Sequence, residues 1–407
     1  GQPSLTTLQA CGLIQHGQVI RLNHIVPYLD VYQQQQRRFL DRPVLDPLLI
    51  QRVGDQMSAQ QYQGVGQQQA VRQLLLSQTD SKLLIQLPTG TGKTLMVHAL
   101  AQSIAAQQLI IVVVPTIGLM LEQVQRARAI LGQNACDAWH AGVSEFERQQ
   151  IRTRIEQGQQ KLLFCAPESL LGSFRNLLFR VASAGRLAAL FVDEAHLIDQ
   201  WGGDFRPDFQ LLAPLYHALR EQYPQQPFRL VLMSATFSQT TRDLLRESFC
   251  WQQGRWIEVD GSFLRPEPQY HVIRCTPDEH QQQVERVIYQ LPRPLIIYAS
   301  TRQDVIDWKK RIQNMGFQRV GCFHGETQTQ ERQALIDAWR QDQLDIMVAT
   351  SAFGVGMDKK DVRSVLHIAI PETLDRLYQE AGRAGRDGRA CVAMLIYTPE
   401  QFKMAEN

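Results

Sequence analysis

Leu87-Pro88-Thr89-Gly90-Thr91-Gly92-Lys93-Thr94 is the stretch that decides how the rest of the chain is read. An apolar run, Leu83-Leu84-Ile85, precedes it, and Leu95-Met96-Val97-His98-Ala99-Leu100 follows at helical spacing. Strand, tight glycine loop and helix start, in that order, make a phosphate cradle. A Cβ at Gly90 or Gly92 would block the close approach that lets backbone N–H groups wrap an anion. The helix N-terminus adds partial positive charge, Lys93 adds a full one, and the Thr94 hydroxyl can ligate Mg²⁺. Leu87 stands where the strict G-x-x-x-x-G-K-[ST] pattern has its first glycine. The stretch reads as a nucleoside triphosphate site.

The 407 residues call for more than one domain, each with its own core. A hydrophobic content of 44% and a charged content of 20% are ordinary for a globular chain. With a net charge of +2 there is no broad basic field, so any grip on nucleic acid must come from local arrangement. Cys11, Cys136, Cys165, Cys250, Cys275, Cys322 and Cys391 are scattered, odd in number and without a C-x-x-C pair. They read as reduced thiols of a cytoplasmic protein, with neither zinc nor disulfides expected. No stretch approaches the ~18 apolar residues of a membrane span, and no signal-peptide block opens the chain. No membrane partner is expected.

Residues 1–55 carry little periodic signal and are assigned no role. From Gln61 onward, apolar runs alternate with amphipathic ones. Leu109 to Val114, Leu162 to Cys165, Ala188 to Val192 and Leu230 to Met233 read as strands, with helices such as Gly118 to Ile130 and Glu145 to Glu156 between them. Continuous apolar strands separated by helices indicate a parallel sheet covered on both faces. The rhythm breaks at Phe263-Leu264-Arg265-Pro266-Glu267-Pro268 and then restarts with Leu295 to Tyr298, Val320 to Phe323, Ile346 to Ala349, Val365 to Ile368 and Val392 to Tyr397. The expected fold is α/β with two tandem lobes, residues 56–262 and 263–407, and only the first has a Lys-bearing loop.

Asp193-Glu194-Ala195-His196 lies just past a buried strand, where open α/β sheets bind ligands. Asp193 is the expected Mg²⁺ partner of Thr94, and Glu194 the base that orients and deprotonates an attacking water. His196 either relays the state of the γ-phosphate or fills space. Ser234-Ala235-Thr236, at another strand end, can couple the acids to a neighbouring surface. In the second lobe, Gln379-Glu380-Ala381-Gly382-Arg383-Ala384-Gly385-Arg386 presents two guanidinium forks suited to phosphate oxygens. A cation delivered from a separate lobe can neutralise charge developing on a transferring γ-phosphoryl group. Upstream, Ala349 to Asp358 combines a strand end, glycines including Gly356, and Asp358 as a candidate ribose contact.

In this order and spacing, the motifs resemble those of superfamily 2 DExH helicases, and specifically the RecQ family of DNA helicases. The resemblance covers residues 58–400 and includes Pro115-Thr116, Ala166-Pro167-Glu168 and Gln200-Trp201-Gly202-Gly203-Asp204-Phe205-Arg206-Pro207. It implies two RecA-like domains, ATP with Mg²⁺, catalytic roles for Lys93, Asp193, Glu194, Gln379, Arg383 and Arg386, and 3′ to 5′ movement on single-stranded or forked DNA. It also implies that the loop carrying Trp201, Phe205 and Arg206 senses single-stranded DNA; the two aromatics offer faces for bases and the arginine a cation. By motif position, Thr116, Glu168, Thr301, Arg302 and Thr350 are the remaining strand contacts. The adenine-reading motif stands here as Gln63-Gly64-Val65-Gly66-Gln67, so Gln67 keeps the adenine-pairing amide while Gly64 replaces a stacking arginine, leaving Tyr62 as the substitute. Gly203 stands where the family usually has His. The chain ends where the family's zinc-binding and winged-helix extension begins, so a divergent motor core is expected. Two alternatives stay open: an RNA helicase on the same engine, and a DNA-stimulated ATPase or clamp subunit of a multi-protein assembly, such as a defence complex, that separates no strands.

Overall fold

A computed structural model describes residues 13–16, 19–22, 43–47, 61–199, 207–250, 255–353 and 359–405. Near the N-terminus, β1 (Leu13–His16) and β2 (Val19–Leu22) pair antiparallel, with Leu13 opposite Leu22 and His16 opposite Val19. They fall in the stretch that reads as aperiodic. Each is only four residues long, too short for an alternation to stand out.

The chain beyond divides into two compact units at Phe263/Leu264. The earlier unit runs α1 (Val65–Leu76), β3 (Lys82–Gln86), α2 (Thr94–Ser103), β4 (Leu109–Val113), α3 (Ile117–Leu131), β5 (Cys136–Trp139), α4 (Glu145–Glu156) and β6 (Leu162–Cys165). It continues through α5 (Pro167–Leu171), α6 (Arg175–Ser183), β7 (Leu187–Asp193), α7 (Pro207–Gln210), α8 (Leu212–Gln222), β8 (Arg229–Ser234), α9 (Gln239–Phe249) and β9 (Trp256–Asp260). Its strands form one sheet in the order β5-β6-β4-β7-β8-β3-β9, every pairing parallel.

The unbroken apolar runs follow from burial on both faces. Leu83 and Ile85, Ile110 and Val112, and Phe191 pack on one face with Val71, Leu74, Met96 and Leu100 of the covering helices. Their chain neighbours Leu84, Ile111, Leu190 and Val192 pack on the other with Ile151, Leu178, Leu215 and Leu245. Each fully buried Leu or Ile contributes roughly 1.5–3 kcal/mol, so neither face tolerates a polar residue mid-strand.

The later unit repeats the design with β10 (Pro268–Arg274), α10 (Pro277–Gln290), β11 (Leu295–Tyr298), α11 (Arg302–Asn314), β12 (Val320–Phe323) and α12 (Thr329–Arg340). β13 (Ile346–Ala349), β14 (Ser364–His367), α13 (Leu374–Ala381), β15 (Cys391–Tyr397) and α14 (Pro399–Ala405) complete it. The sheet order is β10-β15-β14-β11-β13-β12, again all parallel. Leu295 and Ile297 face one core, Ile296 and Tyr298 the other. The expected α/β class, with parallel sheets buried on both faces, holds in both units. No helix among the described residues is long and apolar enough to cross a membrane.

His98 sits on α2 in the core of the earlier unit, 4% exposed. Burial, helped by the charge of Arg126, lowers its imidazole from 6.5 to about 4. The unfolded chain therefore binds a proton that the folded chain refuses, and the stability at stake is complete above about pH 6.5 and lost progressively down to about pH 4. Replacing His98 by Leu should remove roughly 3 kcal/mol of that pH-dependent loss. Melting temperatures of His98→Leu and the unmodified chain, compared at pH 7, 5.5 and 4.5, check this; parallel declines would contradict it.

Candidate active site

Parallel strands all point their C-terminal ends the same way, so the loops that follow neighbouring strands converge. Sheet order places β7, β8 and β3 side by side, with Gln86 in register with Ser234 and Asp193 with Met233. The glycine loop after β3, the acids after β7 and the hydroxyl triplet after β8 thereby meet. The Leu87 amide donates to the Ser234 carbonyl at 3.0 Å, tying the loop's first residue to β8.

Within the loop, Gly90 and Gly92 adopt φ of 79° and 74°, the left-handed region. A Cβ at Gly92 would fall 2.7 Å from Gln67 Nε2. The Thr91 hydroxyl donates to the Pro88 carbonyl at 2.6 Å and sets the turn. Thr89 is partly buried. Lys93 is the N-cap of α2, with no side-chain cap and no acidic residue in the first turn, and Thr94 is the first helical residue. The Leu95 and Met96 amides bond back to the Gly92 and Lys93 carbonyls at 3.0 and 3.1 Å, while no side chain caps the helix start and its dipole is left for an outside anion.

Asp193, 9% exposed, ends β7, and its Oδ1 accepts from the Glu194 amide at 3.0 Å. Burial raises its carboxyl above the ordinary range, against the pull of Lys93. Glu194 has φ 53° and ψ 43°, a left-handed conformation that costs a non-glycine residue of order 1–3 kcal/mol. Its carboxylate lies 3.9 Å from Lys93 Nζ and 3.3 Å from His196 Nδ1. His196 Nδ1 is also 2.8 Å from Ser234 Oγ, and Ser234 Oγ accepts from the Thr236 amide at 3.3 Å. His196 thus lies between the acid and the hydroxyl triplet. A lysine, a hydroxyl at a bare helix start and a carboxylate that burial pushes toward neutrality fit a triphosphate with its divalent cation. Thr94 and Asp193 would hold the metal.

Gln67 reaches this loop as well. It is 4% exposed, its Nε2 donates to the Gly92 carbonyl at 2.8 Å, and its Oε1 accepts from the Gln63 amide at 2.7 Å. One end of the amide thus holds the glycine loop and the other holds the chain that enters α1. Tyr62 is fully buried, with its hydroxyl donating to Asp46 at 2.8 Å, and Asp46 is in turn paired with Arg72. Stacking on a base would require the ring to leave that position.

The expected strand contacts lie past adjacent strand ends. Thr116 N-caps α3, accepting from the Leu119 amide, and Glu168 is exposed on α5. In the later unit Thr301 closes a capping box with Asp304 at the start of α11, and Arg302 pairs with Glu326. The Thr350 amide donates to the Phe323 carbonyl at 3.1 Å. Gln379, Arg383 and Arg386 are all half-buried on or just after α13. The Arg383 guanidinium opposes the upward push that burial gives the Tyr298 phenol. Trp201, Phe205, Arg206, Gly203, Gly356 and Asp358 lie outside the described residues.

Two domain families match. The DEAD/DEAH box helicase family matches residues 65–244, and the helicase conserved C-terminal domain matches residues 279–388. The chain is 31% identical over 343 residues to the ATP-dependent DNA helicase RecQ of Haemophilus influenzae, covering 83% of this chain and 51% of that protein. It is 30% identical to the probable ATP-dependent DNA helicase RecS of Bacillus subtilis, covering 83% and 65%. The chain therefore spans about half to two thirds of these relatives' length. Among solved structures, Dbp5 of S. cerevisiae, bound to RNA and ADP BeF3, matches with a TM-score of 0.66 at 19% identity, over 89% of this chain and 90% of that one, which speaks to the fold. Both sheets are those of tandem RecA-like domains. By its two helicase domains and its likeness to RecQ proteins, the chain belongs to the superfamily 2 DEAD/DEAH helicases as a RecQ-like core.

Proposed function

We propose that this chain is an ATP-dependent DNA helicase or translocase of RecQ type, moving 3′ to 5′ on single-stranded DNA and opening forked duplexes. The observation that supports it most is the chain of contacts Lys93–Glu194–His196–Ser234 beside the glycine loop. Lys93 and the N–H groups at the start of α2 bind the β- and γ-phosphates. Thr94 and Asp193 would hold magnesium, which would screen the phosphate charge. Glu194 orients the attacking water and takes its proton, its carboxylate aimed by the left-handed backbone and by His196. His196 and Ser234 pass any shift of Glu194 to Thr236. Arg386, with Arg383, offsets the charge that develops as the γ-phosphoryl leaves, and Gln379 serves the same step.

On the DNA side, Thr116 and Glu168 in one unit, and Thr301, Arg302 and Thr350 in the other, follow one strand by its backbone. Trp201, Phe205 and Arg206 report its presence to the acids a few residues away. Likeness to RecQ DNA helicases supports DNA over RNA as the substrate, and duplex opening separates a helicase from a clamp that only hydrolyses ATP.

Three outcomes are expected. ATP hydrolysis should rise about tenfold or more with single-stranded DNA and less with RNA of the same sequence, and forked DNA should be displaced. Equal stimulation by RNA would point to the RNA engine, and hydrolysis without displacement to a clamp. Glu194→Gln should bind ATP as before and lose about 10²–10⁴-fold in turnover; normal turnover would remove the base. Arg386→Ala should keep nucleotide affinity within a few-fold yet hydrolyse about 10³-fold more slowly in a single turnover, and an unchanged single-turnover rate would refute its role.

A further inference from the structure

Arg383 and Arg386 project from the short segment after α13, and a buried guanidinium grips that segment's backbone. Arg265 and Glu267 are each 6% exposed and pair Nε to Oε2 at 3.2 Å. The other two arms of the fork go to main chain: Arg265 Nη1 donates to the Gly382 carbonyl at 2.8 Å and Nη2 to the Gly385 carbonyl at 2.7 Å. Those carbonyls flank Arg383. The Gly382 carbonyl also accepts from Arg386 Nε at 3.3 Å, so one oxygen joins the buried arginine to the half-buried one.

The far side of the segment is pinned too. The Gly385 amide donates to the Val362 carbonyl at 2.9 Å and the Asp387 amide to the Lys360 carbonyl at 3.0 Å. Gly385 has φ +64°, and a Cβ there would fall 2.7 Å from Cys391 Sγ and 2.9 Å from Glu267 Cβ. The Cys391 amide donates to the Glu267 carbonyl at 2.9 Å, which anchors the 265–267 segment to β15.

Burying a guanidinium is expensive, and an apolar residue of similar volume commonly serves stability as well or better. What an apolar residue cannot supply is a planar fork whose arms hold two carbonyls at a fixed separation. We infer that Arg265 is a positioning residue for the arginine loop: it fixes the backbone between Gly382 and Gly385 and thereby the directions in which Arg383 and Arg386 point. It acts through those two side chains and touches no substrate. It also lies one residue past Leu264, where the chain passes from the earlier unit into this one, so the connecting segment is the one that holds the loop. The catalytic part of this inference rests on the function proposed above for Arg383 and Arg386; the grip itself does not.

The test uses the whole chain with Arg265→Lys, which keeps the charge and loses the fork, and Arg265→Met, which keeps the bulk. Amide hydrogen exchange of residues 382–388 should speed up about tenfold or more in both variants, with β11 and β14 unchanged. DNA-stimulated kcat should fall about tenfold or more while KM for ATP and the Kd of a fluorescent ATP analogue stay within about twofold, and Lys should not rescue. Unchanged exchange at 382–388, or faster exchange throughout β11 and β14, overturns the grip. Selective loosening with an unchanged kcat, or rescue by Lys, overturns the positioning role. If the unmodified chain hydrolyses no ATP, the proposed function fails by itself, and the exchange measurement still decides the grip.

Discussion

The 3.0 Å hydrogen bond from the Leu87 amide to the Ser234 carbonyl is the point on which the site depends. It extends the β3–β8 ladder one residue past Gln86 and so starts the glycine loop at a fixed height against β8. Because β8 is in turn registered to β7, the same ladder sets where Asp193 emerges. A slip of one residue in β3 would exchange its two buried faces, putting Leu83 and Ile85 where Leu84 belongs. The hydrophobic pattern thus polices the register, and the register places the chemistry. Packing and function are set by one constraint.

Charge within that framework is unevenly balanced. Asp193 is buried, its carboxyl raised by desolvation, and Lys93 only partly offsets the cost. Glu194, beside it, is held in a strained backbone conformation and shares His196 with Ser234. Two acids gathered around a single lysine have room for additional positive charge, and a divalent cation supplies it in compact form. Such strain is retained where the surrounding structure over-determines it, which at Glu194 means the ends of β7 and β8.

What could be read from the sequence follows burial. Strands β4, β6, β11 and β13, buried on both faces, stand out as continuous apolar runs and were legible to within a residue. Strands β5, β9 and β10 were not, although the edge strand β12 was: β9 and β10 carry exposed positions, and Asp137 interrupts the apolar run of β5. β10 alternates between partly and fully exposed positions beyond Pro268, so no apolar run marks it. The loop at Lys93 is a local pattern and was legible; its support from Gln67 was not, since the contact spans 25 residues and closes only in the fold. Arg265 reads in sequence only as part of a break in rhythm. Its partners lie 117 and 120 residues further on, and no short-range pattern encodes that.

The two units also differ at their strand–loop–helix starts, and only the first has the features of a phosphate cradle. α2 opens on Lys93 with no side-chain cap and no acid in its first turn. α11, following the central strand β11, opens on Thr301, whose hydroxyl accepts from the Asp304 amide at 3.1 Å while Asp304 reaches back to the Thr301 amide at 3.1 Å. The capping box satisfies the Thr301 and Asp304 amides internally and sets a carboxylate at the helix start, where α2 has none. That carboxylate stabilises the helix through its dipole and repels a triphosphate by the same field. The later unit therefore keeps the fold while giving up the cradle, and its cations sit instead after α13, on a loop whose backbone is gripped from within the unit.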